Sequence, residues 1–330
     1  MIRDTPHSDT SDSRKKRYLS IDVFKGFSVL LMVFANTFSP FENVPNWSQH
    51  AVDFGLTYVD LVAPFFVFMV ALNFKISYTH RLERKGKRNT YLRFIRRYLI
   101  FIGLGLVLTI YVAPGEFYFR WGTLQVLGTA GLALLFLIHL KAFLRLIISF
   151  SMLIAHQLLL VTNINPLIYN SIEGGIFGML SWTAMMILSS CIVEGVIKDE
   201  VRKYFLYGGI ILTSSGIIVN FFIPFSRAYI SASYTLISVG ISSLIYFVLY
   251  YIFEILVKNK PILAKEKFFS VVGKNAFILY LLDFMIAYTV YYSIPWDAPA
   301  ILIFIVAFIS VFGIWLIAFL MDKAKMYIVI

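Results

Sequence analysis

His50-Ala-Val-Asp-Phe-Gly-Leu-Thr-Tyr-Val-Asp60-Leu-Val-Ala-Pro64 runs from a polar loop into a long apolar helix. It carries a titratable imidazole just outside the apolar stretch and a carboxylate one helical turn inside it. An ionisable group within a membrane helix costs about 2.5–3.5 kcal/mol near the centre and less towards the ends, so it marks either a site or a cap.

The surroundings fix the class. Hydrophobic residues make up 59% of the 330-residue chain and charged residues 14%. Soluble globules average about 45–50% and about 25%. The apolar runs recur along almost the whole length, which excludes a soluble enzyme with one anchor. A span needs roughly 20 mostly apolar residues. On that measure about ten candidates lie at 20–39, 56–78, 93–113, 121–140, 143–162, 175–197, 204–223, 232–257, 268–292 and 299–321. The fold expected is therefore an all-α polytopic bundle. Residues 1–17 read as a flexible cytoplasmic tail, and 18–330 as a single transmembrane domain. No cleavable signal is expected. The lone Cys191 excludes an intrachain disulfide.

Lys and Arg alternate sides as the positive-inside rule requires. One side holds Arg14 to Arg17, the cluster Arg81, Arg84, Lys85, Lys87 and Arg88, then Lys141 and Arg145, and Lys198, Arg202 and Lys203. It continues with Lys258, Lys260, Lys265 and Lys267, and with Lys323 and Lys325. The opposite loops hold Arg120 and Arg227. Both termini are thus expected in the cytoplasm, with His50 outside. The net charge of +11 follows topology and anionic lipid, not nucleic acid. The outer arginines have no topological reason to be there, and each reads as a lipid-headgroup contact or a substrate anchor.

Asp22 and Lys25 share a helix face and can pair. Asn36 lies eleven residues past Lys25, about 16 Å along a helix, at a depth similar to that of His50. It either ends the helix or donates to a developing oxyanion. Thr57 and Asp60 have capping-box spacing; the alternative is that Asp60 orients a neighbouring imidazole. His156 reads as hydrogen-bonded within the bundle. Asp283 and Glu194 are candidates for internal pairing, Asp283 at best loosely with Lys274. No histidine or carboxylate spacing suits a metal, and nucleotide-binding and nucleophile-elbow motifs are absent from the sequence.

The first two spans resemble the heparan-α-glucosaminide N-acetyltransferase family of transmembrane acyltransferases. The resemblance rests on Leu19-Ser-Ile-Asp22-Val-Phe-Lys25-Gly26, Leu31-Met-Val-Phe-Ala-Asn36, His50-Ala51, Gly55-Leu56-Thr57, Asp60-Leu61-Val62, Pro64 and Phe65 to Phe68. Weaker echoes follow in Gly122-Thr-Leu-Gln125-Val-Leu-Gly128, Glu173-Gly-Gly-Ile-Phe-Gly178, Ser226-Arg227 before Ser233-Tyr234, and Gly273-Lys-Asn275-Ala276.

The resemblance implies that His50 and Asn36 form the catalytic pair, with Asp60 behind the histidine. It implies transfer of an acetyl group from cytosolic acetyl-CoA to an amino sugar or other glycan on the far side, without a metal. Lys25, Gln125, Lys274 and Asn275 are then candidate acetyl-CoA contacts, and Arg120, Trp121 and Arg227 candidate acceptor contacts. His50 acts as general base or as acyl carrier. The expected setting is the plasma membrane, and a homo-oligomer is compatible with the chain. A rival class is a secondary transporter or flippase with Asp60, Asp283 and His156 on the translocation path.

Overall fold

The computed structural model describes residues 18–113, 116–258 and 260–328. The expected tail 1–17 lies outside them. The chain is an all-α membrane protein, and seven of its helices are long and apolar enough to cross a bilayer. In order the helices are α1 (Leu19–Phe38), α2 (Val62–Leu108), α3 (Thr123–Leu137), α4 (Ala142–Leu160), α5 (Asn165–Tyr169) and α6 (Gly175–Ile197). They continue with α7 (Gly208–Asn220), α8 (Ala232–Tyr250), α9 (Phe268–Lys274), α10 (Ala276–Ser293) and α11 (Ala300–Lys323). A small antiparallel hairpin, β1 (Ile110–Ala113) with β2 (Glu116–Phe119), joins α2 to α3.

Each expected span falls on a helix, with three differences in detail. The second and third spans belong to α2, which breaks at Gly86 (φ 72°, ψ 171°). That left-handed φ suits glycine and folds the helix back on itself. Residues 62–85 and 87–108 form two antiparallel legs, closed by Tyr78 on Tyr91, Phe74 on Phe94 and Phe74 stacked on Tyr98. The basic cluster Arg81 to Arg88 therefore caps a helical hairpin and not a loose loop. The ninth span is also divided, because the helix breaks between Lys274 and Ala276. The seventh begins with a π-helical turn at Arg202–Tyr207.

Arg145, counted above among the loop cations, is also placed differently. It lies inside α4, fully buried, with its guanidinium on Glu194 of α6 and on Ser190 Oγ. Lys75 of α2 reaches the same carboxylate at 2.8 Å. A carboxylate among apolar helices needs paired donors, so the cation is drawn inward. The pairing expected for Glu194 is thus met by two partners. Lys274 is held by Asp322 at 2.6 Å and is not the partner of Asp283.

The core is aromatic and continuous, running from Phe24, Phe65 and Phe68 of the first two helices to Phe205 and Tyr246. α1 is central, touching α2, α8, α9, α10 and α11. Its closest approach is to α9, where two glycines let the backbones meet: a Cβ on Gly26 would strike the Phe269 carbonyl, and one on Gly273 the Asp22 carbonyl. Small residues at a helix crossing serve this purpose in membranes. Gly273→Ala should therefore lower the melting temperature of the detergent-solubilised protein, by the equivalent of about 1–3 kcal/mol of overpacking. Gly313→Ala, with nothing within 4 Å of the added carbon, should leave it unchanged or higher; equal behaviour would contradict the close crossing.

Candidate functional site at the His50 loop

The connection from α1 to α2 is held rigidly although it has little regular structure. Gln49 Nε2 donates to the Phe41 and Val44 carbonyls at 3.0 and 3.2 Å. Thr57 Oγ1 donates to the Gln49 carbonyl at 2.8 Å. Gly55 N–H reaches the Phe225 carbonyl at 2.8 Å, and Phe54 stacks on Tyr229. Tyr169 Oη donates to Asp53 Oδ1 at 2.5 Å, and that carboxylate raises the pKa of the phenol. These ties fix both ends of the segment that carries His50.

His50 Nδ1 lies 2.7 Å from Asp60 Oδ1. Asp60 is fully buried, while the imidazole is 46% exposed. The other carboxylate oxygen accepts the Thr57 N–H at 2.9 Å and the Ala51 N–H at 3.3 Å. With backbone donors on one oxygen, the carboxylate acts as an acceptor, so Nδ1 carries the proton and Nε2 keeps its lone pair. Half of the expected capping box is formed, the acid bonding back to Thr57, while Thr57's hydroxyl turns to Gln49. Asp60 thus combines both roles read from the sequence, backbone cap and imidazole partner.

A cavity of about 340 Å³ opens beside the ring, with Asn36, His50, Asp283, Glu173, Arg120 and Arg227 in its wall. Asn36 Nδ2 donates to Asp283 Oδ2 at 2.6 Å, and Tyr291 Oη donates to the Asn36 carbonyl at 2.7 Å. Asp283 Oδ1 has no hydrogen-bond partner. Glu173 Oε1 takes the Arg227 guanidinium at 2.8 Å and the Thr123 hydroxyl at 3.3 Å. Burial opposes the charge on Arg227, yet Glu173, Tyr234 and Asp60 outweigh it and raise its pKa. Glu173 itself has a left-handed φ of 51°, followed by Gly174 and Gly175 at 72° and 60°, a strained turn at the cavity's edge. A wider recess of about 700 Å³ shares Asn36, His50 and Tyr291 and extends to Glu42 and Gln49.

Towards the opposite end of the bundle lies a second cavity, of about 520 Å³. Lys25, Arg97 and Lys274 line it, with Asp22, Asn73 and Tyr327. Lys25 sits 3.9 Å from Asp22. Arg97 lies over the Tyr98 and Phe101 rings, and its Nε has no partner. Phe66 and Tyr280 belong to the walls of both cavities, and they meet edge to face with centroids 5.4 Å apart.

The residues singled out in the sequence divide accordingly. His50, Asn36, Arg120 and Arg227 share the smaller cavity, and Lys25 and Lys274 the larger one. Asp60, behind the imidazole, lies in neither wall, and nor do three others. Gln125 is buried, bonding Thr109, the Arg120 carbonyl and the Gly122 N–H, and so ties the turn before α3. Asn275 holds the Met326 carbonyl and the Ile328 N–H, pinning the last described residues. Trp121 packs against the core. His156 bonds the Tyr229 carbonyl at 2.9 Å and belongs to neither chamber's wall. Sequence reasoning missed Arg97, Glu173 and the link from Asp283 to Asn36. The signal for Arg97 was present: a cation within an expected span. Among the described residues no group of three His, Cys, Asp or Glu could hold a metal ion.

Residues 17–204 match the family described as "Heparan-alpha-glucosaminide N-acetyltransferase, catalytic". No curated protein matches the chain. The family match takes in α1, the His50 loop, both legs of α2 and Glu173, and leaves α7 to α11 outside it. Because it covers more than half of the chain, this integral membrane protein belongs to the heparan-α-glucosaminide N-acetyltransferase family.

Proposed function

We propose that the protein moves an acetyl group across the bilayer, from cytosolic acetyl-CoA to an amino sugar or glycan amine on the other side. The observation that carries the reading is the adjacency of two chambers. One is lined with cations, the other holds an Asp60-bound His50 beside Asn36, and Phe66 and Tyr280 belong to the walls of both. In this reading the basic end faces the cytosol, as the distribution of Lys and Arg suggests, and the membrane is the plasma membrane.

Acetyl-CoA occupies the larger chamber. Lys25, Arg97 and Lys274 offset its phosphates, and the thioester reaches past Phe66 and Tyr280 to Asn36. The Asn36 amide steadies the carbonyl oxygen as negative charge develops on it. The acceptor comes from the wide recess near Glu42 and Gln49. His50 Nε2, left with its lone pair by the bond at Nδ1, takes a proton from the acceptor and later returns one to the departing thiolate. Asp60 keeps the tautomer and stabilises the imidazolium, as a triad carboxylate does. Arg120 and Arg227 stand where acceptor hydroxyls would lie. A buried polar constellation of this kind is costly without a ligand to serve.

His50→Ala should abolish acetyl transfer to glucosamine in reconstituted protein. Saturating acetyl-CoA, at 100 times its Kd, should still raise the melting temperature, corresponding to about 2.7 kcal/mol of stabilisation. Full activity in that variant would exclude the role of His50, and the absence of any shift in the unaltered protein would exclude the donor. Asp60→Asn places an amide where the carboxylate accepts the Nδ1 proton, favouring the opposite tautomer. Its kcat should fall by about 10²–10⁴-fold with the acetyl-CoA shift preserved; an unchanged kcat would remove Asp60 from the mechanism.

A further inference from the structure

Three carboxylates lie at or next to the smaller cavity, and two of them are accounted for. Asp60 is served by His50, Thr57 and Ala51. Glu173 faces the guanidinium of Arg227 at 2.8 Å, although its Oε2 has no hydrogen-bond partner. Asp283 differs from both in having neither a cationic nor an imidazole partner among the described residues. It has no exposed surface, its Oδ2 receives a neutral amide from Asn36, and its Oδ1 has no partner although it belongs to the cavity wall. The lysine that might have neutralised it, Lys274, is held by Asp322. Among the described residues no cation pairs with Asp283. A buried carboxylate with one oxygen unserved is expensive, because removal from water must be offset by a donor or a positive charge. Asp283 belongs to the wall of the chamber where the acetyl group and the acceptor would meet.

We infer that Asp283 is the binding site for the ammonium group of the acceptor, and that it selects a cationic amine over a neutral nucleophile at the reacting position. The inference rests on the acyltransferase reading above. An alkyl amine is protonated at neutral pH and cannot attack until it loses a proton. Asp283 Oδ1 accepts one ammonium N–H and holds the nitrogen beside Asn36, whose bond to Oδ2 fixes the carboxylate's orientation. A second ammonium proton passes to His50 Nε2. The freed lone pair then forms the C–N bond to the thioester carbonyl. As the tetrahedral adduct collapses, the nitrogen gives its surplus proton to Asp283, the C–S bond breaks, and the thiolate takes the proton held by His50. One proton is released to water through Asp283, and no oxidant or reductant is involved.

The test compares two nitrogen acceptors in reconstituted protein: glucosamine, a cation when protonated, and O-methylhydroxylamine, which is neutral at the same pH. In Asp283→Asn, kcat/KM for glucosamine should fall by about 30-fold or more, the range for removing one partner of a desolvated charge pair. That for O-methylhydroxylamine should stay within about threefold, and Asp283→Glu should recover part of the loss. An equal fall for both acceptors, as a purely structural residue would give, or no fall for either, overturns the inference. Should Asp283→Asn fail to fold, inhibition of O-methylhydroxylamine acetylation is measured in unaltered protein. Glucosamine should then compete at a concentration about tenfold or more below that of glucose, and equal potency overturns the inference. Unaltered protein that acetylates neither nitrogen acceptor removes the acyltransferase reading and this inference with it. Acetylation of both acceptors, with Asp283→Asn neutral towards each, removes this inference alone.

Discussion

The bond between His50 and Asp60 exists because a carboxylate without any contact with water must be completely served. Asp60 sits where a polar loop gives way to an apolar helix, and its two oxygens gather the imidazole and the N–H groups of Thr57 and Ala51. Each donor comes from the same short loop, so satisfying the charge also folds the loop. The backbone of Asp60 takes part as well, through its carbonyl and the Tyr234 hydroxyl at 2.7 Å. This ties the start of α2 to α8, next to the segment bearing Arg227. One desolvated charge thus organises this end of three elements.

The same accounting recurs along the bundle with different outcomes. Glu194 is met by Lys75 and Arg145 and serves as a strut joining α2, α4 and α6. Glu173 is met by Arg227, and Asp322 by Lys274. Where pairing is complete, the group braces the helices. Asp283 Oδ1 and Arg97 Nε are buried without a partner and both residues line a chamber, while Arg145 Nε is left unpartnered within a brace. In a medium without water, an unmet valence of this kind costs several kcal/mol.

Much of this was readable in the chain. Apolar run length gave the helices, and the spacing of His50, Thr57 and Asp60 gave both alternatives for the carboxylate, which turn out to coexist. What the sequence did not carry is distance between elements far apart in the chain. Asn36 and Asp283 are 247 positions apart, and no local pattern reports that α10 brings one to the other. Arg145 misled because a cation near a short turn looks like a loop residue, and only the three-dimensional position of Glu194 explains why it lies inward. Gln125 and Asn275 show the same limit. Each lies in a recognisable motif, yet each amide is engaged by backbone groups that the sequence cannot place. Gly86 was equally silent: one left-handed residue, and not a loop, reverses the chain between two long legs.

Phe66 and Tyr280 have a consequence beyond the passage they interrupt. Two polar chambers set end to end through a bilayer would offer ions and protons a short route down their gradients. An edge-to-face aromatic pair is a thin dielectric plug with no row of donors and acceptors along which water could order. On the acyl-transfer reading proposed above, the closed pair is what would keep such a route shut to ions.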